Sequence, residues 1–333
     1  MLVSCVWAVL RLAMTREYGP ASWLALVELR APLPFGHRVL IPLLARPFVH
    51  AGAPVSWVFG VSEALATFAL LLTLAAALRD DVPLRAARLG AVLLLPVLSL
   101  PLLLAHRWPI FYPWDAWAMV AIVLGAHALR RGRTALAFAV VILGALNRES
   151  VVLVPLLGAV MRLERESLRT NLARTVLLLF AYVGARAVLP WLAPEARGTA
   201  LHVMLGDELR LHHNLRWLAE PANLAQWWGS VAMLPLAWFA VRHVAPRDLV
   251  RMHAPLLVAL CGLLVVANVY EPRVYAEPMA IAWWVVWTGA WTWASERPPA
   301  PVAADARVWV RLYDRWAVAA VIVVAAVLAV ASL

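Results

Sequence analysis

The sequence predicts an all-α membrane protein, a polytopic bundle of about 11 transmembrane helices in a single integral membrane domain, residues 1–333. Hydrophobic residues make up 64% of the chain and the mean hydropathy is +0.79, which is too apolar for a soluble domain. Apolar runs recur along the whole length. They are continuous, whereas the strands of a transmembrane β-barrel would alternate apolar and polar residues.

The apolar runs define the predicted spans. They lie near residues 2–14, 55–78, 89–104, 113–129, 134–146, 150–160, 175–190, 227–241, 254–267, 278–293 and 317–332. The first run lacks the charged start and the cleavage site of a signal peptide, so we interpret it as a retained span. The pair at 134–146 and 150–160 is shorter than the roughly 20 residues that a crossing needs. It forms either two short crossings or a re-entrant hairpin.

The arginines predict the orientation of the bundle. One set of loops holds 17 arginines and 8 acidic residues, a net charge of +9, while the other set holds 10 of each. Loops rich in arginine face the cytoplasm. The chain is therefore expected in a bacterial inner membrane, with the N-terminus cytoplasmic, the C-terminus extracytoplasmic, and extracytoplasmic loops at 15–54 and 191–226.

The composition also excludes several classes of partner. The net charge of +10 lies in short loops between spans, so it is a topology signal and we expect no nucleic-acid partner. The two cysteines, Cys5 and Cys261, lie in apolar runs and are typical of small core residues. No pattern of zinc ligands is present, and we expect neither a metal nor a cofactor.

The loops predicted to be extracytoplasmic carry an unusual mixture of arginines, acids, aromatic residues and prolines. Asn147, Arg148 and Glu149 separate the two short runs, so they are expected below the outer membrane surface, where a charge usually faces a cavity or a partner. The other candidate residues are Glu17, Glu28, His37, Arg38, His106, Arg107, Asp115, Glu271 and Arg273. Arginines bind phosphate through charge-assisted hydrogen bonds, and a carboxylate can serve as general base toward a hydroxyl.

Several of these residues also have a purely structural interpretation. The neighbouring charges Arg148 and Glu149, and likewise Glu271 and Arg273, are also typical of ion pairs that hold helix ends. Glu63, inside the second span, can be a protonated core residue. Ser150 is a candidate N-cap for the following helix. If the outer residues form one site, Arg38, Arg148, Glu149 and Glu271 converge on one cavity with Glu17 or Glu28 at its rim.

Three motifs resemble bacterial members of the GT-C-like membrane glycosyltransferase superfamily. They are "PFGHRVLIPLL" at residues 34–44, "NRES" at 147–150 and "EPRVYAEP" at 271–278. The resemblance implies an all-helical fold, an extracytoplasmic site next to membrane lipid and a polyprenyl-phosphate-linked sugar as donor. It also implies an acidic catalytic residue, often Asp, in the first outer loop. This loop holds no Asp; Glu17 is the positional match and Glu28 the second choice.

These expectations assign a role to each candidate. Glu17 is the predicted base. The predicted ligands of the donor phosphate are Arg38, Arg107, Arg148 and Arg273, with His37, Asp115, Asn147, Glu149 and Glu271 as further substrate-binding or orienting residues. Two alternatives stay open: a flippase or other transporter of lipid-linked glycans, and a non-catalytic membrane subunit on the same fold.

Overall fold

The structure, a computed structural model, describes residues 1–104, 109–196 and 210–295. Within these ranges the chain is helical, and β structure is limited to two isolated bridges, Arg16 with Ile110 and Tyr18 with Ala21. The all-α prediction is confirmed for this part of the chain.

The α-helices are numbered in chain order. They are α1 (Leu2–Met14), α2 (Trp23–Val27), α3 (Leu40–His50), α4 (Val55–Leu78), α5 (Leu84–Ser99), α6 (Asp115–Arg130), α7 (Thr134–Asn147), α8 (Leu153–Met161), α9 (Leu168–Ala187), α10 (Leu189–Leu192), α11 (Arg210–Ala219), α12 (Pro221–Ser230), α13 (Leu234–Val241), α14 (Arg247–Val250), α15 (His253–Val266) and α16 (Ala276–Ala294). Short 3₁₀ turns cover Phe35–His37, Glu149–Val152 and Pro272–Tyr275, and a π-helical turn at Leu100–Leu104 extends α5.

Four helical segments of the described chain are long and apolar enough to cross a membrane: Val55–Leu78, Leu84–Leu104, Leu168–Leu192 and Arg247–Val265. The pair α12 and α13, bent by 64°, passes the same test as one broken span. We therefore treat the chain as an integral membrane protein. The predicted total of about 11 crossings stays a prediction, because α1, α3, α7 and the segment Glu149–Met161 are apolar but shorter. The last predicted span, 317–332, lies outside the described residues.

Exposed apolar side chains cover the outside of the long helices. Val61 and Leu72 on α4, and Phe180 and Val183 on α9, are exposed. A soluble monomer rarely shows contiguous apolar patches of this kind. These faces are suited to contact with lipid.

Helix α6 lies at the centre and contacts α4, α7, α8 and α16. Glycines bring α6 and α8 close together: a Cβ added at Gly125 would lie 2.6 Å from a methyl of Val154, and one at Gly158 would overlap Leu129. Small residues at such crossings let two backbones approach in membrane proteins. The second half of α6 is thereby packed closely against α8.

Helix α16 packs against α5 through two tryptophans. Trp283 Nε1 donates to the carbonyl of Gly90 at 2.7 Å, and Trp287 Nε1 donates to that of Ala86 at 3.1 Å. These bonds satisfy the indole N–H groups inside an apolar bundle, where an unpaired donor is unfavourable. They fix α16, and with it the acidic residue Glu277 in its first turn.

The two predicted outer loops contain helices. The segment 15–54 holds α2, the turn Phe35–His37 and α3, and Ser22 begins α2 by accepting a hydrogen bond from the Ala25 amide at 3.2 Å. As expected for the proline-rich run 32–42, no single regular helix covers it. Of the loop 191–226, residues 197–209 lie outside the described ranges, and the rest includes the end of α10, α11 and part of α12.

The chain breaks between α7 and α8 at Arg148, which is extended with φ −160° and ψ 146°. The prediction that Ser150 caps α8 is wrong. The 3₁₀ turn beginning at Glu149 runs directly into α8, so Ser150 lies inside the helical segment and its buried hydroxyl has no hydrogen-bond partner. Two side chains of α9 stabilise the break instead. Tyr182 donates to the carbonyl of Glu149 at 2.9 Å, and Arg186 donates to that of Ala145 at 3.1 Å.

Candidate functional site

Five charged side chains form a buried layer at one end of the bundle, which we call the Arg148 layer. Its members are Arg11, Glu63, Asp115, Arg148 and Glu277. Arg11 lies 2.8 Å from Glu63 and 3.5 Å from Asp115, and Nη1 of Arg148 lies 2.5 Å from Asp115 and 2.8 Å from Glu277. The side chains are at most 6% exposed. An ionic chain thus crosses the core between α1, α4, α6 and α16.

The backbone explains why these residues meet. Asp115 is the first residue of α6 and Glu277 the second of α16, while Arg11 lies in the last turn of α1. Antiparallel neighbours bring starts and ends of helices to the same level. The break after α7 directs Arg148 inward, and the preceding Asn147 is held because its Nδ2 donates to the Trp114 carbonyl at 3.1 Å.

Several buried polar atoms of this region lack a hydrogen bond. They are Nε of Arg11, Oε2 of Glu63, Oε1 of Glu277 and Oδ1 of Asn147. Most buried polar atoms in proteins have a partner, and an unsatisfied one calls for an explanation. The Arg148 layer is therefore incompletely satisfied by the protein itself.

A second ion pair, Arg38 with Glu149, lies beside the layer. Nη2 of Arg38 donates to Oε1 of Glu149 at 2.5 Å and its Nε donates to Oε2 at 3.4 Å. The guanidinium of Arg38 also lies 5.1 Å from the ring centroid of Trp114, an attractive geometry for a cation over an aromatic face. Because Glu149 follows Arg148 directly, this pair joins the layer to the surface, where the Glu149 side chain is 34% exposed.

Four aromatic rings, Tyr18, Phe35, Tyr112 and Trp114, form what we call the ring cluster. The Phe35 and Tyr112 centroids lie 5.5 Å apart, those of Tyr112 and Trp114 lie 5.0 Å apart, and that of Tyr18 lies 5.3 Å from Phe35. Burial raises the pKa of Tyr112 to about 12, so its hydroxyl stays neutral. Arg38 contacts one part of this cluster.

Arg273 contacts another part, with its Cζ 4.0 Å from the Tyr112 centroid. Its Nη2 donates to Glu271 at 2.8 Å, while its Nη1 is buried without a hydrogen-bond partner. Both residues line a cavity of about 150 Å³ whose other walls are Pro101, Leu102, Pro109, Ile110, Tyr270 and Pro272. Arg273, a cation with an unused donor, therefore forms part of the wall of a small, largely apolar cavity.

Glu17 is exposed and follows Arg16, which forms an isolated bridge with Ile110 of the cavity wall. The amide of its neighbour Arg16 donates to the carbonyl of Pro109 at 3.0 Å, and the amide of Phe111 donates to the carbonyl of Arg16 at 3.0 Å. The segment that carries Glu17 is thus paired with the segment that forms one cavity wall.

Glu28 lies elsewhere, between α2 and α3. It contacts His50 at 2.9 Å and Arg46 at 3.9 Å, and the hydrogen bond from His50 lowers its pKa. His37 lies nearer the break, and Arg186 donates to its carbonyl at 3.3 Å. Burial, together with the charge of Arg186, lowers the pKa of His37, so at neutral pH it is not a cation for an anionic ligand.

The structure brings together Asp115, Asn147, Arg148, Glu149 and Arg38 as interacting residues. Glu271 and Arg273 line the cavity, and among the described residues neither Arg38, Arg148 nor Glu149 lines it. His106 and Arg107 lie outside the described residues. Sequence reasoning left Arg11 and Glu277 out of the site and interpreted Glu63 as core. In the sequence, each of these three residues is a single charge inside or at the edge of an apolar run, and this pattern could have marked them as candidates.

No protein-family model matches the chain, and no curated protein or solved structure is similar to it. The functional argument therefore depends on the residues themselves. Within the described ranges no group of three or more His, Cys, Asp or Glu residues is placed to hold a metal ion. The chemistry on which the site can draw is that of arginines, carboxylates and aromatic rings.

Proposed function

We propose that this protein is a membrane glycosyltransferase that uses a polyprenyl-phosphate-linked sugar as donor. The cavity at Arg273 would hold the donor phosphate, and Glu17, in the segment paired with the cavity wall, would act as base on the acceptor. The site would lie at the extracytoplasmic face of a bacterial inner membrane, as the distribution of arginines predicts.

One observation carries the proposal: Arg273, whose Nη1 has no hydrogen-bond partner, lines a cavity with mostly apolar walls. Charge-assisted hydrogen bonds from arginine suit phosphate. A water occupies about 30 Å³ in the liquid, so about 150 Å³ gives room for a phosphate group. Pro101, Leu102, Pro109 and Ile110 provide the apolar surface that the first isoprene units need, with the remainder of the donor outside the cavity.

The proposed step is a displacement at the anomeric carbon. The acceptor hydroxyl forms the new bond to this carbon, its proton passes to the Glu17 carboxylate, and the bond between the carbon and the phosphate oxygen breaks. Polyprenyl phosphate leaves with the electron pair. Arg273 stabilises the charge that develops on the leaving phosphate, and Glu271 orients its guanidinium by accepting the hydrogen bond at 2.8 Å.

Binding of farnesyl phosphate to the purified full chain tests the phosphate site, with farnesol as the matched ligand without a phosphate. Arg273→Ala is expected to weaken binding of farnesyl phosphate by about 1.5–3 kcal/mol, roughly a ten- to hundredfold rise in Kd. Arg273→Lys should recover part of the loss, since lysine keeps the charge but not the planar fork. Farnesol binding should not change.

Arg85→Ala is the matched control, because Arg85 is exposed in the first turn of α5, a helix end far along the sequence from the cavity. Glu17→Gln should bind farnesyl phosphate like the wild type and lose sugar transfer. Unchanged affinity in folded Arg273→Ala, or equal affinity of the wild type for farnesol and farnesyl phosphate, would contradict the assignment of the cavity.

A transporter of lipid-linked glycans is the second candidate, and the break at Arg148 favours it. Transporters commonly bind substrate at interrupted helices inside the bilayer, and here the interruption carries buried charges. An assay in proteoliposomes with a fluorescent nitrobenzoxadiazole-labelled polyprenyl phosphate distinguishes the transporter from the glycosyltransferase. Movement of label between leaflets, measured by dithionite quenching, is expected of a transporter; sugar transfer without such movement supports the enzyme.

A further inference from the structure

We propose that the Arg148 layer is a proton-binding site, in which Asp115 and Glu277 share one proton around Arg148. This inference rests on buried charges and hydrogen bonds at α6 and α16. It does not depend on the proposed glycosyl transfer, because the cavity at Arg273 has no residue in common with the layer.

The first argument is charge balance. The layer contains three carboxyl groups, Glu63, Asp115 and Glu277, and two guanidinium groups that stay protonated at all ordinary pH values. Fully ionised, it carries one uncompensated negative charge among side chains at most 6% exposed. An unpaired buried charge is strongly unfavourable, and such groups neutralise instead.

Among the described residues, no cation besides Arg11 and Arg148 forms an ion pair with the carboxyl groups of the layer. Glu149 begins the 3₁₀ turn after Arg148, Arg38 follows the turn Phe35–His37, and the two pair with each other. Glu271 and Arg273 also pair. Arg186 of α9 donates to backbone carbonyls beside Glu149. The helices α5, α13 and α15, which also pack near α16, have no charged residue at this end.

The second argument is geometry. Nη1 of Arg148 lies within 2.8 Å of oxygens from both Asp115 and Glu277, so the two carboxyl groups are close together. Two carboxyl groups that share a site do not both ionise readily. Asp115 accepts a hydrogen bond from Arg148, whereas Oε1 of Glu277, though buried, accepts none. Glu277 is thus the group that gains least from being charged, and it holds the proton for most of the time.

Infrared spectroscopy of the full-length protein in detergent at pH 7 tests the proposal. The wild type should show the C=O stretch of a buried protonated carboxyl group, shifted in D₂O. Glu277→Gln should remove this band and stay folded, because glutamine is a neutral isostere of the protonated acid. Glu195→Gln is the matched control, because it also removes one glutamate, at an exposed position. This variant should keep the band.

A carbodiimide that modifies protonated carboxyl groups provides a second measurement on the wild type. Mass spectrometry should find the adduct on Glu277 or Asp115. The proposal is overturned by the absence of the band in the wild type, by its persistence in Glu277→Gln, or by an adduct on Glu63 or Glu149 in their place. Failure of Glu277→Gln to fold, while Glu195→Gln folds, also counts against it.

Discussion

Helix α6 carries a buried ionic cluster at each end, and the two clusters differ in how well they are satisfied. At its start, Asp115 belongs to the Arg148 layer. At its end, Arg130 pairs with Asp81 and Asp248, and Arg165 joins Asp248; we call these four residues the Arg130 cluster. Both clusters tie several helices together and consist mostly of buried charges, although the Arg165 side chain is 48% exposed, so helix packing alone does not distinguish them.

The hydrogen bonds do distinguish them. Arg130 donates to Asp81 at 2.5 and 2.8 Å and to Asp248 at 2.7 and 3.2 Å, so its three nitrogens are all used. Asp248 further accepts from Arg165 and from the Leu249 amide. Two arginines face two carboxylates and the charges balance. The Arg148 layer has three carboxyl groups for two arginines, and Nε of Arg11, Oε2 of Glu63 and Oε1 of Glu277 are buried in it without a hydrogen bond.

The comparison teaches that the number of buried charges is a poor guide to function. A satisfied, balanced cluster needs no ligand and is explained by the stability of the fold. An unbalanced cluster with unused acceptors is stable only with something added, and a proton is the smallest addition that removes the excess charge. Substitutions in and outside the two clusters test this contrast, and they are ordered by the size of the expected effect.

Arg130→Ala is expected to cause the largest loss of stability. It leaves Asp81 and Asp248 largely buried without their main partner, and removing one member of a buried ion pair costs about 3–5 kcal/mol. Thermal unfolding of the purified protein in detergent measures it. Arg131→Ala is the control, because Arg131 is half exposed and its removal should not change the midpoint. Equal midpoints for the two variants would contradict the structural role of Arg130.

Replacing an acid by its amide should separate the two clusters. Asp248→Asn weakens charged hydrogen bonds from Arg130 and Arg165 and should cost about 2–3 kcal/mol. Glu277→Gln replaces a group that already holds a proton, so the loss should stay below about 1 kcal/mol. Thermal unfolding of both variants in the same detergent measures the two losses of stability. A larger loss for Glu277→Gln would mean that Glu277 is an ordinary ionised member of its layer.

Glu28→Gln should have the smallest effect. Glu28 lies outside both clusters in an exposed pair with His50, and such pairs contribute little because solvent screens them. Neither the unfolding midpoint nor sugar transfer should change, whereas Glu17→Gln should abolish transfer. If the Glu28 variant alone loses transfer, the base is Glu28, and the role proposed for Glu17 is wrong.

Part of the site could be predicted because its residues stand out locally. Asn147, Arg148 and Glu149 interrupt an apolar sequence, and a break at that point follows from two runs too short to cross a membrane. The contacts of Arg148 could not be predicted in the same way. Its partners Asp115 and Glu277 lie 33 and 129 positions away in sequence, and only helix packing places both beside one nitrogen.

The same distinction holds for the whole chain. The sequence by itself determined the helical class and the positions of most long apolar helices, because hydropathy and length are properties of short segments. It also singled out the polar residues at the helix ends. Only the tertiary structure decided which charges meet, that Glu17 lies in the segment paired with the cavity wall while Glu28 contacts His50 and Arg46, and that one cluster is balanced and the other is not. Charge balance and hydrogen bonding depend on residues distant in sequence, so they arise only when the helices pack.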